Sequence, residues 1–407
     1  MPLVFVHGVA NRWGEGYARG RDTRDAFFRR FLLRSLGSRG AIRNPYWGDL
    51  GGRLRWDGAS MPLEDFESLG TEDATFLSLQ AAADPEGAVT QPAAALLTVA
   101  RRSLPEAVDL VWAAAALGSA VPPDALAELG DAAYAYAEAH PRPAWLADVR
   151  DDARFLEALR HEVESAAAAA APAPAPDAPG APGAVGYEPV GYESVEYESL
   201  GVADGWNAVA RGASALRGAA VSLVGRAASD RVRPAAIPSV ANFLGDVFVY
   251  LHQQEAVARP IAELVEGAFR EAAGERTDDD PLVVVAHSLG GIISYDLLTS
   301  SAADLRVDLL VTVGTQVGFF EELKLFASSD PAIPGDGRQK VPHPAAVRRW
   351  INVFDHSDLL GYAVGPVIDG VTDYAYRTGT LLKAHSAYFL QPGFHRRLAA
   401  RAVEPAP

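Results

Sequence analysis

The sequence predicts an α/β fold, in which a mostly parallel sheet carries helices on both faces and is interrupted by a helical insertion. Short apolar runs typical of buried strands alternate with amphipathic stretches near both ends of the 407-residue chain, and this order gives parallel sheets. Between them lies a long alanine-rich segment of helical periodicity. We therefore assign residues 1–60 and 240–400 to the core, residues 61–165 and 202–239 to the insertion, and residues 166–201 to a linker.

The core strands are predicted from runs of β-branched and other apolar residues that end at turn residues. A helix with an aromatic stripe is expected between the first two strands, with Asp22 as its N-cap and Leu36 near its end. The predicted strands are residues 3–6, 41–47, 282–286, 309–313, 350–354 and 371–377.

The insertion is predicted to contain helices at residues 93–104, 105–117, 123–140 and 145–170. Its linker is rich in alanine, proline and glycine and then repeats a Tyr-Glu pair at Tyr187, Tyr192 and Tyr197. This spacing places the tyrosines on neither a helix face nor a strand face. We interpret the linker as disordered and acidic, with a partner-docking motif as the alternative.

One segment of the predicted core contains a candidate catalytic residue. Residues 282–298 read as a buried strand, a sharp turn at Ser288 and an apolar helix. Such a turn lifts the serine Oγ off the strand end and directs helix N–H groups and the helix dipole at developing negative charge. The pattern is Gly-x-Ser-x-Gly with Ala286 in place of the first glycine. We expect Ser288 to be a partly exposed nucleophile.

The Ala-His-Ser-Leu-Gly-Gly motif resembles the α/β-hydrolase superfamily, particularly its lipase- and esterase-like bacterial members. The resemblance covers residues 1–56 and about 240–400. It implies that an acid and then a histidine follow the serine along the chain. His385 lies after the last predicted strand and before a helix, and the Ala-His-Ser-x-Tyr string around it resembles the base region of related hydrolases. The resemblance therefore implies His385 as the general base.

The acid is expected after the strand at residues 350–354, where two aspartates qualify. Asp358 is the first choice, because a residue further from the strand end has room to turn back toward the base. Asp355 is the second choice, and a helix N-cap is the alternative reading for either. The resemblance also implies an oxyanion hole made by the backbone N–H groups of Leu289 and Val9. His7 is expected to buttress the loop that carries Val9.

The composition of the chain argues against several classes of partner and cofactor. The net charge of −16 argues against a nucleic-acid partner, because phosphate contacts need a basic face. The absence of cysteine excludes disulfides, thiolate metal sites and a cysteine nucleophile. No signal-peptide pattern and no apolar stretch of membrane-spanning length is present, so we expect no transmembrane segment and a cytoplasmic location. No metal or nucleotide motif is evident, so no cofactor is expected.

Together these features predict a serine hydrolase that cleaves a small-molecule or lipid carboxylic ester through an acyl-serine. An acyltransferase, thioesterase or peptidase with the same three residues is one alternative, and a non-catalytic scaffold acting as a binding module is another. The insertion helices have apolar faces that single helices cannot bury. We therefore expect part of the insertion to cover Ser288 as a lid.

Overall fold

The computed structural model describes ten stretches of the chain. Statements about structure below refer to these residues, and to side chains within them. They are residues 2–38, 40–52, 95–118, 122–170, 206, 244–277, 280–335, 338–358, 360–378 and 384–404.

Six strands form one sheet in the order β2-β1-β3-β4-β5-β6, and every neighbouring pair is parallel. Each strand falls within or next to a run predicted from the sequence, and the α/β class is confirmed. The strands are β1 (Leu3–Val6), β2 (Ile42–Arg43), β3 (Val283–His287), β4 (Leu309–Val313), β5 (Trp350–Phe354) and β6 (Val371–Ala375).

The edge strand β2 is shorter than the predicted run at residues 41–47. Beyond Arg43 the chain leaves the sheet, and the Trp47 N–H donates to the Nε2 atom of His7 instead of to a strand neighbour. The Trp47 ring stacks on the His7 ring with 4.5 Å between centroids. The aromatic contact at the end of β1 therefore replaces the ladder that the apolar run predicted.

Helices cover both faces of the sheet. Two of them, α1 and α7, adjoin π-helical turns at Phe28–Leu33 and Gln254–Ala258. The helices are α1 (Glu15–Phe27), α2 (Ala95–Arg102), α3 (Leu104–Gly118), α4 (Pro123–Ala139), α5 (Asp152–Ala170), α6 (residues 244–252), α7 (Arg259–Gly274), α8 (Leu289–Thr299), α9 (Val317–Glu322), α10 (Ala384–Ala387) and α11 (Pro392–Val403).

The predicted start of the first helix is wrong. Helix α1 begins at Glu15, so Asp22 lies in its interior and pairs with Arg21 at 2.8 Å on the surface. Gly14 precedes the helix with an extended backbone, and Glu15 places a negative charge in the first turn, where the helix dipole favours it. The apolar stripe that suggested a start near Asp22 begins only in the second half of the helix.

Alternate residues of each central strand pack on opposite faces of the sheet, as the period of two requires. Val4, Val284 and Ala286 lie in a core with residues of α7 and α8. Leu3, Val283 and Val285 lie in a second core with residues of the π-turn after α1 and of α11. Both faces are therefore buried, which explains why the strands read as continuous apolar runs.

The described helices of the insertion form a third core on the outer side of α1 and α11. Buried residues of α2 to α5 pack there with Phe27 and Phe31 near the end of α1 and with Ala399 of α11. Residues 166–170, placed by the sequence at the junction of helix and linker, are the last turn of α5. Residues 61–94 and 207–239 of the insertion and residues 171–201 of the linker lie outside the described residues, so a lid over Ser288 stays a prediction. Trp206 belongs to this third core.

Candidate active site

Ser288 occupies a strained turn between a strand and a helix. Strand β3 ends at His287 and α8 begins at Leu289, leaving Ser288 with φ 53° and ψ −125°. A non-glycine residue adopts positive φ rarely and at an energetic cost of about 1–3 kcal/mol, and such residues cluster at functional sites. The Ser288 N–H donates to the Val313 carbonyl at the end of β4, at 3.0 Å, which holds the turn against the sheet.

Close backbone approaches surround this serine. A Cβ atom on Gly8 would lie 2.7 Å from the Ser288 Cβ, and one on Gly290 would collide with the Val6 carbonyl. Both positions therefore require glycine. The expectation that Ser288 is partly exposed is wrong, because its accessible fraction is 0%. The loop at Gly8 packs directly on its side chain.

His385 and Asp358 form a hydrogen-bonded pair. The Nδ1 atom of His385 lies 3.0 Å from both carboxylate oxygens of Asp358 and donates to them, as the sequence predicts. Asp358 also accepts the Leu360 N–H at 2.9 Å and the Tyr388 hydroxyl at 3.0 Å. Burial alone would raise the pKa of Asp358, but the hydrogen bond and charge of His385 lower it below its usual value. The carboxylate is therefore ionised and oriented.

Asp355 has a different position. Its Oδ2 atom accepts hydrogen bonds from the N–H and the hydroxyl of Thr378, both at 2.7 Å, and its Oδ1 atom accepts the Ser357 N–H at 2.9 Å. These bonds connect the end of β5 to the segment after β6. It is therefore Asp358 that contacts His385, whereas Asp355 accepts hydrogen bonds from Ser357 and Thr378 in a turn and not at the start of a helix.

The ends of three adjacent strands bring these residues together. The His287 Nε2–H donates to the carbonyl of His385 at 2.6 Å, so the histidine of the pair is bonded to the residue that precedes Ser288. A Cβ on Gly314, just after β4, would lie 2.9 Å from Asp358 Oδ2 and 3.4 Å from His385 Nδ1. The Ser288 Oγ is buried and makes no hydrogen bond to any described residue, His385 Nε2 included.

Two backbone N–H groups adjoin the serine. The Leu289 N–H is the first of α8 and has no acceptor within the helix. In the loop after β1, the Ala10 N–H is occupied, because it donates to Asp246 Oδ2 at 2.7 Å, whereas the Val9 N–H donates no hydrogen bond within the described residues. Val9, in the loop that packs on Ser288, and Leu289, the residue after Ser288, therefore each have an N–H group that donates no hydrogen bond within the described residues.

The direction of the Val9 N–H is fixed through its peptide partner. The Gly8 carbonyl accepts hydrogen bonds from His7 Nδ1 at 2.8 Å and Asn11 Nδ2 at 2.9 Å. Because the peptide group is planar and trans, holding that carbonyl makes the Val9 N–H point the opposite way. Burial lowers the pKa of His7 to about 4, so the ring is neutral. His7 thus buttresses the loop, as expected.

Asp246 contacts this loop from α6, a link that the sequence analysis missed. Its carboxylate, 1% exposed, forms an ion pair with Arg12 at 2.7 Å and accepts the N–H groups of Ala10 and Gly52, also at 2.7 Å. No local motif marks an aspartate whose partners lie 194 to 236 residues away along the chain. The one sequence feature that points to a buried contact is the presence of an aspartate on an otherwise apolar helical stretch.

Comparisons with known proteins add no relative: no family model, curated protein or solved structure matches the chain. Among the described residues, no group of three or more His, Cys, Asp or Glu side chains could hold a metal ion, and no helix has the length and apolar character needed to cross a membrane. A function can therefore be proposed only from the geometry around Ser288.

Proposed function

We propose that this protein is a serine hydrolase of the α/β-hydrolase fold that cleaves carboxylic esters of small molecules or lipids through an acyl-serine. One observation carries the proposal. Ser288 lies in a strained strand-to-helix turn, and an oriented Asp358–His385 pair is attached beside it. A nucleophile, a base and a group that orients the base form the arrangement on which serine catalysis depends.

In the first step, the Ser288 Oγ attacks the ester carbonyl and His385 Nε2 takes its proton. Asp358 keeps the other ring proton on Nδ1 and stabilises the imidazolium that forms. The tetrahedral intermediate collapses to the acyl-serine, and His385 returns the proton to the departing alcohol. Water then attacks the acyl group with His385 again as base, which releases the carboxylic acid and regenerates Ser288.

The negative charge on the tetrahedral oxygen needs donors that are already in place. We assign this task to the N–H groups of Leu289 and Val9. The N-terminus of α8 adds its dipole, and the bonded Gly8 carbonyl holds the Val9 group in direction. One such donor lowers the barrier by about 3–4 kcal/mol in serine hydrolases.

Labelling with a fluorophosphonate probe tests the proposal. Wild-type protein should be modified at Ser288, located by peptide mass analysis, and Ser288→Ala should not be modified. Ser288→Ala should also lose on the order of 10⁴ in kcat toward activated esters. The fold should persist, since the change removes one buried oxygen without a described hydrogen-bond partner. An unlabelled wild type would favour the binding-module alternative, and an active alanine variant would show that the nucleophile is misassigned.

A panel of substrates then separates esterase activity from its relatives. Esters with short to long acyl chains are compared with matched thioesters and amides, each with and without an acceptor alcohol. Free acid as the main product supports ester hydrolysis. A new ester formed with the acceptor alcohol would instead indicate an acyltransferase, and faster cleavage of thioesters or amides would indicate the corresponding enzyme.

A further inference from the structure

His287 lies at the meeting point of three parts of the site. It immediately precedes Ser288, its Nε2–H donates to the main-chain carbonyl of His385 at 2.6 Å, and its ring centroid lies 4.8 Å from that of His385. A Cβ on Gly8 would lie 3.1 Å from its Nδ1 atom, so the loop that carries Val9 also packs against it. Neither the nucleophile, the base nor the acid role uses this imidazole.

The hydrogen bond fixes the state of the ring. A carbonyl oxygen accepts only, so the proton is on Nε2 of His287. The ionisable groups that act on the ring are His385, Asp358 and, with the smallest effect, His7. Burial and the neighbouring His385 lower the pKa of His287 to about 3. The ring therefore stays neutral while His385 gains and loses a proton, and it keeps donating throughout.

His385 thus has two anchors of different kinds. Asp358 binds its side chain and sets the rotation of the ring. His287 binds its backbone, and because His287 is covalently joined to Ser288, this bond links the position of the base to that of the nucleophile. Misplacement of a reacting group by about 1 Å can lower a rate by about 10²-fold, so a bond of this kind bears on kcat.

We propose that His287 is a positioning residue that holds the main chain of His385 against the Ser288 turn and thereby sets the distance between base and nucleophile. The proposal rests on the hydrolase function above. It assigns His287 no contact with substrate and no proton transfer. Its prediction is a loss in kcat with little change in KM when the Nε2–H donor is removed.

Two substitutions separate the donor from the volume of the ring. His287→Phe keeps an aromatic ring without a donor, and His287→Gln keeps an N–H donor near the position of Nε2. His287→Phe should lower kcat by about 10–100-fold with KM changed by less than about twofold, and His287→Gln should recover most of the loss. His395→Phe is the matched control, because buried His395 also bonds to a main-chain carbonyl, that of Phe389, at 3.0 Å. It should retain kcat, although its stability falls.

A readout that does not depend on turnover completes the test. The Nδ1–H proton of His385, bonded to Asp358, should give a downfield proton NMR signal in wild type. The signal should persist in His287→Gln and His395→Phe and should broaden or vanish in His287→Phe. The proposal is overturned if His287→Phe keeps both kcat and this signal, or if His287→Gln is as impaired as His287→Phe. If wild type lacks hydrolase activity, the proposed function fails, and the NMR signal still decides whether His287 holds His385.

Discussion

Two regions of the molecule each contain a buried aspartate, and the two carboxyl groups differ in charge. At the carboxyl end of the sheet, Asp358 accepts a backbone N–H and the Tyr388 hydroxyl. Where α3 of the insertion meets the core, Asp109 likewise accepts a backbone N–H and the Tyr376 hydroxyl. The main difference in their partners is that Asp358 also faces His385.

The pKa values of the two aspartates are shifted in opposite directions. Burial raises the pKa of Asp109 to about 7, because its two neutral donors and the nearby charge of Arg397 compensate only in part. Burial acts on Asp358 in the same direction, yet the hydrogen bond and charge of His385 bring its pKa below the usual value. The comparison teaches that a buried carboxylate stays ionised here when a group able to carry positive charge is bonded to it.

The largest expected effect is a loss of catalytic activity when the aspartate of one region, and not of the other, is replaced. Asp358→Asn should lower kcat by about 10²–10⁴, because an amide no longer holds the His385 tautomer and cannot stabilise the imidazolium. Asp109→Asn should leave kcat within about threefold, since it changes a contact outside the site. Ester hydrolysis under saturating substrate measures both.

Asp355→Asn is the matched control for the acid. It replaces one of two accepting oxygens with an N–H donor, so the side chain can no longer accept from both Ser357 and Thr378. It should therefore lower the melting temperature and reduce activity less than Asp358→Asn does. A larger loss of kcat in Asp355→Asn than in Asp358→Asn would require the acid to be reassigned, while Ser288 and His385 would keep their roles.

The next effect concerns stability as a function of pH. Burial raises the folded-state pKa of Asp109 to about 7 from its ordinary value of 3.8. Between these values the folded chain holds a proton that the unfolded chain has lost, so the contribution of Asp109 to the unfolding free energy falls as pH rises. Above about pH 7 the loss is complete and is on the order of 4 kcal/mol.

Asp109→Asn should remove this dependence. Urea unfolding of wild type and variant at pH 5 to 8 should give a difference in unfolding free energy that moves in favour of the variant as pH rises. A constant difference across that range would mean that Asp109 is ionised in the folded protein, and the contrast with Asp358 would disappear.

The smallest effect comes from the two tyrosine hydroxyls. Tyr388→Phe removes a donor to Asp358 and should lower kcat by less than about tenfold, since His385 and a backbone N–H still bind the carboxylate. Tyr376→Phe removes the equivalent donor to Asp109 and should lower the unfolding free energy by about 1–2 kcal/mol without changing kcat. Equal losses of kcat in the two variants would show that the regions are coupled.

Features encoded within a few residues of one another could be predicted from the sequence. The strands appear as apolar runs, and the Ser288 turn is marked by its glycines and its place between a strand and a helix. Asp358 could be preferred to Asp355 because distance from the strand end limits where a short side chain reaches. In each case the local sequence contains the constraint.

Features that depend on distant segments could not be predicted. The carboxylate of Asp246 meets Ala10 and Arg12 only after α6 has packed beside β1. The burial of Ser288 depends on Gly8, which comes from the other end of the core. The second strand stops early because Trp47 stacks on His7, a contact that competes with the sheet and leaves no periodic signal.

The pairing of β1 with β3 has a consequence for synthesis on the ribosome. Leu3 pairs with Val283, so β1 must wait for a partner strand that is synthesised about 280 residues later. At about 5–20 residues per second, a gap of about 280 residues corresponds to roughly 15–55 s. During that time β1 can pair only with the two-residue β2. The side of β1 that later pairs with β3 stays without a partner strand. A nascent chain arrested before Val283 should therefore bind ribosome-associated chaperones through β1. The chaperone should be released once β3 has emerged from the ribosome.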